Sequence, residues 1–230
     1  MASFTDAISE ILPLLAEPAP LLDSRIGREF PQGTFAAVAL VLLERLCDPK
    51  TTATAIDGLN ESGLLDAPSL SEFSASDLKD NLAEAGVRLG LKESQLLVKL
   101  AQWFASADLE SNVEATNTEA LRDGLRAIRG IGPATGDALL LDGFGRAAYP
   151  VDRSTYRILV RHNWIDDTAE YDEARAVVES AASADPLSLR LISQGFESIG
   201  RRFCKVSGPK CERCPLRPFL PENGPVDPSG

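Results

Sequence analysis

The sequence predicts an all-α fold, and three observations support this prediction. Apolar residues recur at helical spacing, capping signals precede several of these stretches, and no segment shows the strict alternation that a half-buried strand requires. The 230 residues are 44% hydrophobic and 25% charged, the composition of an ordinary globular protein. The chain is therefore long enough to bury a sizeable core within one or two domains.

The predicted helices follow one another with short breakers between them. Residues 34–47 are apolar on nearly all sides, which indicates a buried central helix that Asp48-Pro49-Lys50 ends. Capping-box patterns at 74–77 and 116–119 predict helices at about 76–86 and 118–129. The apolar stripe in 93–106 is typical of a core helix. Further helices are expected at about 134–143, 153–163, 170–183 and 187–203, followed by an irregular tail after Leu216.

Charge is distributed unevenly along the chain. The formal net charge of −11 argues against nucleic-acid binding, because phosphate contacts require Lys and Arg. Residues 122–217, however, hold 15 Lys and Arg against 13 Asp and Glu, and residues 196–217 hold six against two. A basic stripe on an acidic body is compatible with DNA binding, and also with a merely solvated face.

The sequence also bears on location. No apolar run approaches the roughly 18 residues of a membrane span. The N-terminus carries Asp6 and Glu10 where a secretory signal would have basic residues. We therefore expect a cytoplasmic protein without membrane contact. Three of the four cysteines lie within 204–214, which suits a metal site in a reducing compartment better than a disulfide framework.

The segment 125–139 predicts a helix-hairpin-helix. Two amphipathic helices are joined by Gly130-Ile131-Gly132, and Pro133 follows at the first position of the second helix. Exposed N–H groups of such a turn and of the helix N-terminus form a cradle for phosphate. We expect DNA-backbone contacts from Gly130, Ile131, Gly132, Ala134 and Thr135, with a plain turn as the alternative.

Asp152 follows the hairpin in Tyr149-Pro-Val-Asp152. Pro150 requires an extended chain before it, so Asp152 is placed to cap the next helix. The positive end of a helix dipole favours the ionised carboxylate. An ionised carboxylate that faces a pocket can stabilise an oxocarbenium-like sugar and orient a water molecule. Capping and catalysis are compatible roles for Asp152.

These motifs together resemble the endonuclease III superfamily of base-excision DNA glycosylases, over about residues 30–214. The resemblance implies a two-lobed fold, with a six-helix barrel at 27–146, a second lobe from 1–26 and 147–230, and DNA across the groove between them. It also implies that Asp152 is catalytic. Bifunctional members carry a lysine two residues after the second hairpin glycine, where this chain has Ala134, and no lysine lies between Lys99 and Lys205. A monofunctional glycosylase with little or no AP lyase activity is expected.

The resemblance further implies a side chain that fills the gap left by a flipped base, at the end of the central helix. The corresponding position is Leu46, which could act as an apolar wedge or simply pack in the core.

Cys204, Cys211 and Cys214 resemble the iron–sulfur loop of the endonuclease III and adenine glycosylase branches, whose pattern is C-x6-C-x2-C-x5-C. The fourth position falls on Leu220. Three interpretations remain open: a [4Fe–4S] cluster on three cysteines with another fourth ligand, an empty relic loop, and a zinc site. In every case the basic residues of the loop, above all Lys205 and Lys210, would face DNA phosphates. Cys47 is expected to be a buried, inert thiol.

The expected partner is double-stranded DNA that contains damaged bases, bound by a monomer in the cytoplasm, at the nucleoid. The alternative is a non-catalytic protein that binds DNA structure or damage on the same scaffold. The missing lysine, the missing fourth cysteine and the net acidity favour that alternative, whereas Asp152 argues against it.

Overall fold

The computed structural model describes residues 3–16, 26–84 and 86–226. Within these residues, all regular structure is helical and there is no strand, which confirms the all-α prediction. None of the described helices combines the length and the apolar character needed to cross a membrane.

The chain forms two compact units. The hairpin unit, Asp23–Arg146, contains α2 (Phe35–Leu46), α3 (Pro49–Glu61), α4 (Ala67–Ser71), α5 (Ala75–Glu84), α6 (Leu91–Ser106), α7 (Leu109–Asn112), α8 (Thr118–Ala127) and α9 (Pro133–Ala138). The terminal unit combines Met1–Leu22 with Ala147–Gly230 and contains α1 (Phe4–Ala16), α10 (Arg153–Arg161), α11 (Tyr171–Ala181) and α12 (Pro186–Arg202).

Helix α2 lies in the core of the hairpin unit. Thr34 caps it, because its hydroxyl oxygen accepts a hydrogen bond of 3.3 Å from the Ala37 N–H. Aromatic rings of three elements meet beside it: Phe104 stacks on Phe144 with a centroid distance of 6.0 Å, and Phe35 meets Phe104 edge-on at 5.6 Å. An apolar helix without a polar face is therefore covered on all sides, as its sequence predicts.

The corner after α2 both ends one helix and begins the next, whereas the sequence predicts only the end of a helix. Asp48 and Pro49 end α2, but they also start α3 without any intervening loop. The Asp48 carboxylate accepts hydrogen bonds from the N–H groups of Lys50 at 3.0 Å and Thr51 at 3.1 Å, and Pro49 occupies the first helical position. A stop signal for one helix is here the start signal for the next.

The start of α8 also differs from the expected capping. The predicted capping hydroxyl, that of Thr116, instead donates to the Asn112 carbonyl at 2.9 Å. Asn117 is the cap residue, and its amide oxygen accepts from the Ala120 N–H at 2.8 Å. Asparagine and threonine both cap helices, so adjacent candidates are not separated by sequence pattern alone.

The sequence predicts a helix that runs from about residue 134 to residue 143, but the α-helical part, α9, ends at Ala138. After Ala138 the chain forms a five-residue π-helical segment, Leu139–Gly143. This segment packs on α2, and a Cβ atom built on Gly143 would lie 3.1 Å from the Val38 Cα atom. Glycine thus permits a close approach of the two backbones.

The terminal unit is built around α12. Helices α1 and α10 both pack against it, and α1 also contacts α11. The α1–α12 approach is close, since a Cβ atom on Gly195 would lie 2.7 Å from the Leu15 Cβ atom. Phe4 lies between Trp164 and Phe196, at centroid distances of 4.8 and 6.0 Å. These contacts tie the N-terminal helix to the second half of the chain.

Candidate functional site

The hairpin between α8 and α9 is a tight, internally bonded turn. The Ile131 N–H donates to the Ile128 carbonyl at 3.0 Å, and the Gly136 N–H donates to the Gly132 carbonyl at 2.9 Å. Ile131 is buried, and its side chain lies beside Gly136. The turn therefore has one buried hydrophobic residue, Ile131, between two exposed glycines, Gly130 and Gly132.

The two hairpin glycines differ in whether the fold itself requires glycine. Gly130 has a φ of +112°, and a Cβ atom there would lie 2.6 Å from the Leu96 Cδ2 atom. Gly132 has a φ of −85°, which any residue adopts, and no atom lies within 4 Å of a Cβ atom built on it. The fold thus requires glycine at Gly130, whereas the space beside Gly132 is open to a ligand. Ala134 and Thr135, in the first turn of α9, are half-buried.

A buried ion pair connects the two helices of the hairpin. The Arg122 Nε atom donates to Asp137 Oδ1 at 2.9 Å, and the side chains are only 3% and 0% exposed. Arg122 also bonds Glu119 through Nη1. Burial alone would lower the pKa of the guanidinium, but the hydrogen bonds to Asp137 and Glu119 outweigh it and raise that pKa. Sequence reasoning missed this pair, since charged residues 15 positions apart carry no pairing signal.

The expected wedge residue, Leu46, is the last residue of α2 and is half-buried. Cys47 was expected to be buried in the central helix, and this prediction is wrong, because Cys47 forms the half-exposed C-cap of α2. Burial, together with the nearby carboxylates of Glu93 and Asp48, raises the pKa of the Cys47 thiol. The thiol is thus kept protonated at a surface corner.

Asp152 is the N-cap of α10. Its Oδ1 atom accepts a hydrogen bond of 2.7 Å from the Thr155 N–H, and the side chain is half-exposed. No described residue donates a hydrogen bond to its other oxygen. One oxygen therefore holds the carboxylate at the positive end of the helix, and the other can bind water or substrate.

The chain that leads into Asp152 is held from α11. The Tyr149 N–H donates to Glu179 Oε1 at 2.9 Å, and the Val151 N–H contacts the Tyr171 hydroxyl at 3.4 Å. The buried Tyr149 ring reaches Thr155 through a hydroxyl–hydroxyl contact of 3.1 Å. Burial raises the pKa of Tyr149 well above its usual range, so its hydroxyl stays neutral. These contacts fix the start of α10 from both sides of Asp152.

The three clustered cysteines line one small pocket. Cys204, Cys211 and Cys214 share it with His162 and with Leu220, the residue at the expected fourth-ligand position. Burial above all, together with the neighbouring thiols, raises the pKa of Cys214 to about 11. Among the described residues, no three His, Cys, Asp or Glu side chains are arranged to hold a metal ion. Lys205 and Lys210 are exposed on the same loop.

No protein-family model matches the chain. It is 27% identical over 190 residues to an endonuclease III of Sulfolobus acidocaldarius, a match that covers 82% of each chain. A solved endonuclease III–DNA complex superposes with a TM-score of 0.65 at 18% identity, covering 96% of this chain and 97% of that one. The chain therefore has the helix-hairpin-helix glycosylase fold of endonuclease III and is similar to an endonuclease III in sequence over most of its length. A 3-methyladenine DNA glycosylase of Helicobacter pylori superposes with a TM-score of 0.64 at 14% identity, covering 87% of this chain and 98% of that one, so it shares the fold.

The Arg122–Asp137 pair joins the two helices of the hairpin, so its contribution to stability can be measured. Arg122→Met removes the cation that lies against the fully buried Asp137 carboxylate, and is expected to reduce the free energy of unfolding by about 3–5 kcal/mol. Asp137→Leu should cost less, because Arg122 keeps its contact with Glu119. The double variant should lose much less than the sum of the two, because no unpaired charge remains. Chemical denaturation of all four proteins measures this coupling, and additive losses would contradict it.

His162 should make stability depend on pH. It is 4% exposed, and burial and the Arg161 charge lower its pKa more than the contacts with the Ile158 and Leu216 carbonyls raise it. The unfolded chain therefore binds a proton first, near pH 6.5, and stability falls below that pH by up to about 1.4 kcal/mol per unit.

Because His162 is the single histidine of the chain, the effect can be isolated. Denaturation between pH 7.5 and 5.5 should show this loss in the wild type, and His162→Gln should remove most of the slope. Equal slopes in the two proteins would show that His162 is not responsible.

Proposed function

We propose that this protein is a monofunctional DNA glycosylase, which hydrolyses the bond between a damaged base and its sugar and leaves the DNA strand intact. The observation that carries this proposal is the residue at the Schiff-base position. Ala134 stands there, in the first turn of α9, and the sequence from 100 to 204 contains no lysine. Strand cleavage by β-elimination requires an amine that attacks the sugar, and this stretch of the chain supplies none.

Asp152 would perform the hydrolysis. Its free oxygen would accept a proton from a water molecule while the water oxygen bonds to C1′ of the sugar and the C1′–N bond of the base breaks. The negative carboxylate would also stabilise the positive charge that develops on the sugar. The cap bond to Thr155 and the contacts from Glu179 and Tyr171 would hold the carboxylate in place, so that little reorganisation is needed at the transition state.

The hairpin would bind the DNA backbone. The open space beside Gly132 admits a phosphate close to the N-terminus of α9, where N–H groups and the helix dipole favour negative charge. Such contacts position the protein without reading sequence. Exposed Lys205 and Lys210 would add phosphate contacts, and Leu46 would fill the gap of a flipped nucleotide.

Asp152→Asn tests the catalytic role directly. Asparagine caps helices about as well as aspartate, so the folded state should be preserved. Loss of the general base should slow base excision by about 100- to 10,000-fold, with DNA affinity largely unchanged. Single-turnover excision on a panel of damaged duplexes measures this.

Asp185→Asn is the matched control, because Asp185 caps α12 through Ser188 in the same way. It should leave excision unchanged. If the wild type excises no base from any duplex of the panel but binds damaged DNA, the protein is a non-catalytic damage binder instead.

The absence of lyase chemistry is tested by borohydride trapping. The wild type should form no covalent adduct with DNA while it excises the base, since Ala134 provides no amine at the Schiff-base position. Ala134→Lys restores an amine at that position and should give a trappable adduct, which serves as the positive control. Stoichiometric trapping by the wild type would overturn the monofunctional assignment.

The two hairpin glycines allow the DNA contact to be separated from the fold. Gly132→Val should leave thermal stability nearly unchanged and weaken binding to damaged and undamaged duplexes by a similar factor, because its side chain enters only the phosphate space. Gly130→Ala should instead destabilise the protein by about 1–3 kcal/mol, through backbone strain at positive φ. Thermal unfolding and binding titrations at two salt concentrations distinguish them. Loss of affinity for one lesion only would show that the turn contacts the base.

A further inference from the structure

The cysteine loop, residues 204–217, is attached to α10 by arginine side chains. Arg157 donates to the Cys204 carbonyl through Nε at 3.2 Å and through Nη2 at 3.0 Å. Arg161, one turn further on, donates from Nη1 to the Lys205 carbonyl at 2.7 Å and to the Cys204 Sγ atom at 3.3 Å. The two side chains thus bind the first residues of the loop to the helix that Asp152 caps.

Arg161 is a charged side chain that is buried beside the cysteine loop. It is 3% exposed, and no described carboxylate pairs with it. Its charge is compensated instead by the Cys204 sulfur and by carbonyls of the loop, the last of them the Val206 carbonyl at 3.4 Å. A buried guanidinium is tolerated only where it is well hydrogen-bonded. The loop conformation and the burial of Arg161 therefore require each other.

The loop is also closed by its own backbone. The Lys210 N–H donates to the Phe203 carbonyl at 2.9 Å, which joins the two ends of the turn. The Cys214 N–H donates to the Cys211 carbonyl at 3.1 Å, and the His162 ring contacts the Leu216 carbonyl at 3.2 Å. Leu216 itself is fully buried. The loop is therefore held by its backbone hydrogen bonds, by buried Leu216 and by the contact from His162, the C-cap of α10.

The residues of this pocket do not fit a four-thiolate iron–sulfur cluster. Leu220 lines the pocket at the position where the pattern would place a fourth thiol, so the loop offers three thiols. The Arg161 guanidinium donates a hydrogen bond to one of these thiols, that of Cys204. Zinc fits no better, because both ring nitrogens of His162 face backbone carbonyls, those of Ile158 at 2.8 Å and Leu216 at 3.2 Å.

We propose that Arg161, supported by Arg157, organises the cysteine loop in place of a metal. The guanidinium provides the fixed centre on which the loop folds, and Lys205 and Lys210 are presented from a loop whose shape is independent of iron or zinc. Arg161 is in this sense a positioning residue. Its link to DNA binding rests on the proposed function, whereas its effect on the loop does not.

Hydrogen exchange of the loop amides in the free, full-length protein tests the anchor. The protein is prepared anaerobically with iron and sulfide, and a second sample is treated with a chelator. The amides of Lys210 and Cys214 should be equally protected in both samples, and in the Cys211→Ala/Cys214→Ala double variant. Metal analysis should find iron and sulfide well below one cluster per chain.

Arg161→Met should accelerate exchange at these amides by about tenfold or more, since charged hydrogen bonds are lost. Arg201→Met is the matched control, because Arg201 is exposed and pairs only with Glu197 among the described side chains. It should leave loop exchange unchanged. Arg161→Lys keeps the charge without the planar fork and should give an intermediate effect, which preserves the test if Arg161→Met does not fold.

Two results would overturn the anchor: a full cluster whose removal abolishes the protection, or an Arg161→Met loop as protected as the wild type. DNA binding is read separately. If Arg161→Met accelerates exchange of the loop amides but leaves the DNA affinity and its salt dependence unchanged, the loop is not part of the proposed DNA interface. The role of Arg161 in organising the loop would still be supported.

Discussion

Helix α10 carries a carboxylate at its N-terminus and a guanidinium in its last turn, and these two charged groups connect the helix to the segments beside it in the terminal unit. Asp152 lies at the N-terminus, where the helix dipole stabilises a carboxylate, and Arg161 lies in the last turn, where it stabilises a cation. Both groups also bond neighbouring backbone, Asp152 at Thr155 and Arg161 at the cysteine loop. One short helix thus couples the position of the candidate catalytic carboxylate to the shape of a basic loop.

Among the described residues two arginines, Arg122 and Arg161, are buried, and their guanidinium groups are bound by different kinds of acceptor. Arg122 pairs with Asp137 across the hairpin, so a pair of charges is removed from water together. Arg161 uses carbonyl and thiol acceptors and keeps its net positive charge inside the unit. The first arrangement joins two helices in a defined orientation. The second stabilises an irregular loop, whose carbonyls would otherwise lack donors.

The parts of the molecule that the sequence predicts are those governed by local rules. Helical periodicity and capping anticipated most of the long helices, because these signals lie within a few residues of each other. They did not anticipate α3, because Asp48-Pro49-Lys50 was interpreted only as the end of α2. The short α4 and α7 were missed, since four or five residues show no periodicity. The ion pair of Arg122 and the contacts of Arg161 were missed for another reason. Both residues look like solvated charges in a linear sequence, and only tertiary packing brings their partners near.

The π-helical segment Leu139–Gly143 has a consequence for how the hairpin unit can change over evolution. A π turn holds one residue more than the α turn it replaces, so it is the trace that a single-residue insertion leaves in a helix. Because the wide turn absorbs its extra residue locally, deleting one residue there would restore an α turn and keep the helix before it in register. Substitution at Gly143 is more restricted, because a Cβ atom there would lie 3.1 Å from the Val38 Cα atom. In this segment the close backbone contact therefore limits change more than the number of residues does.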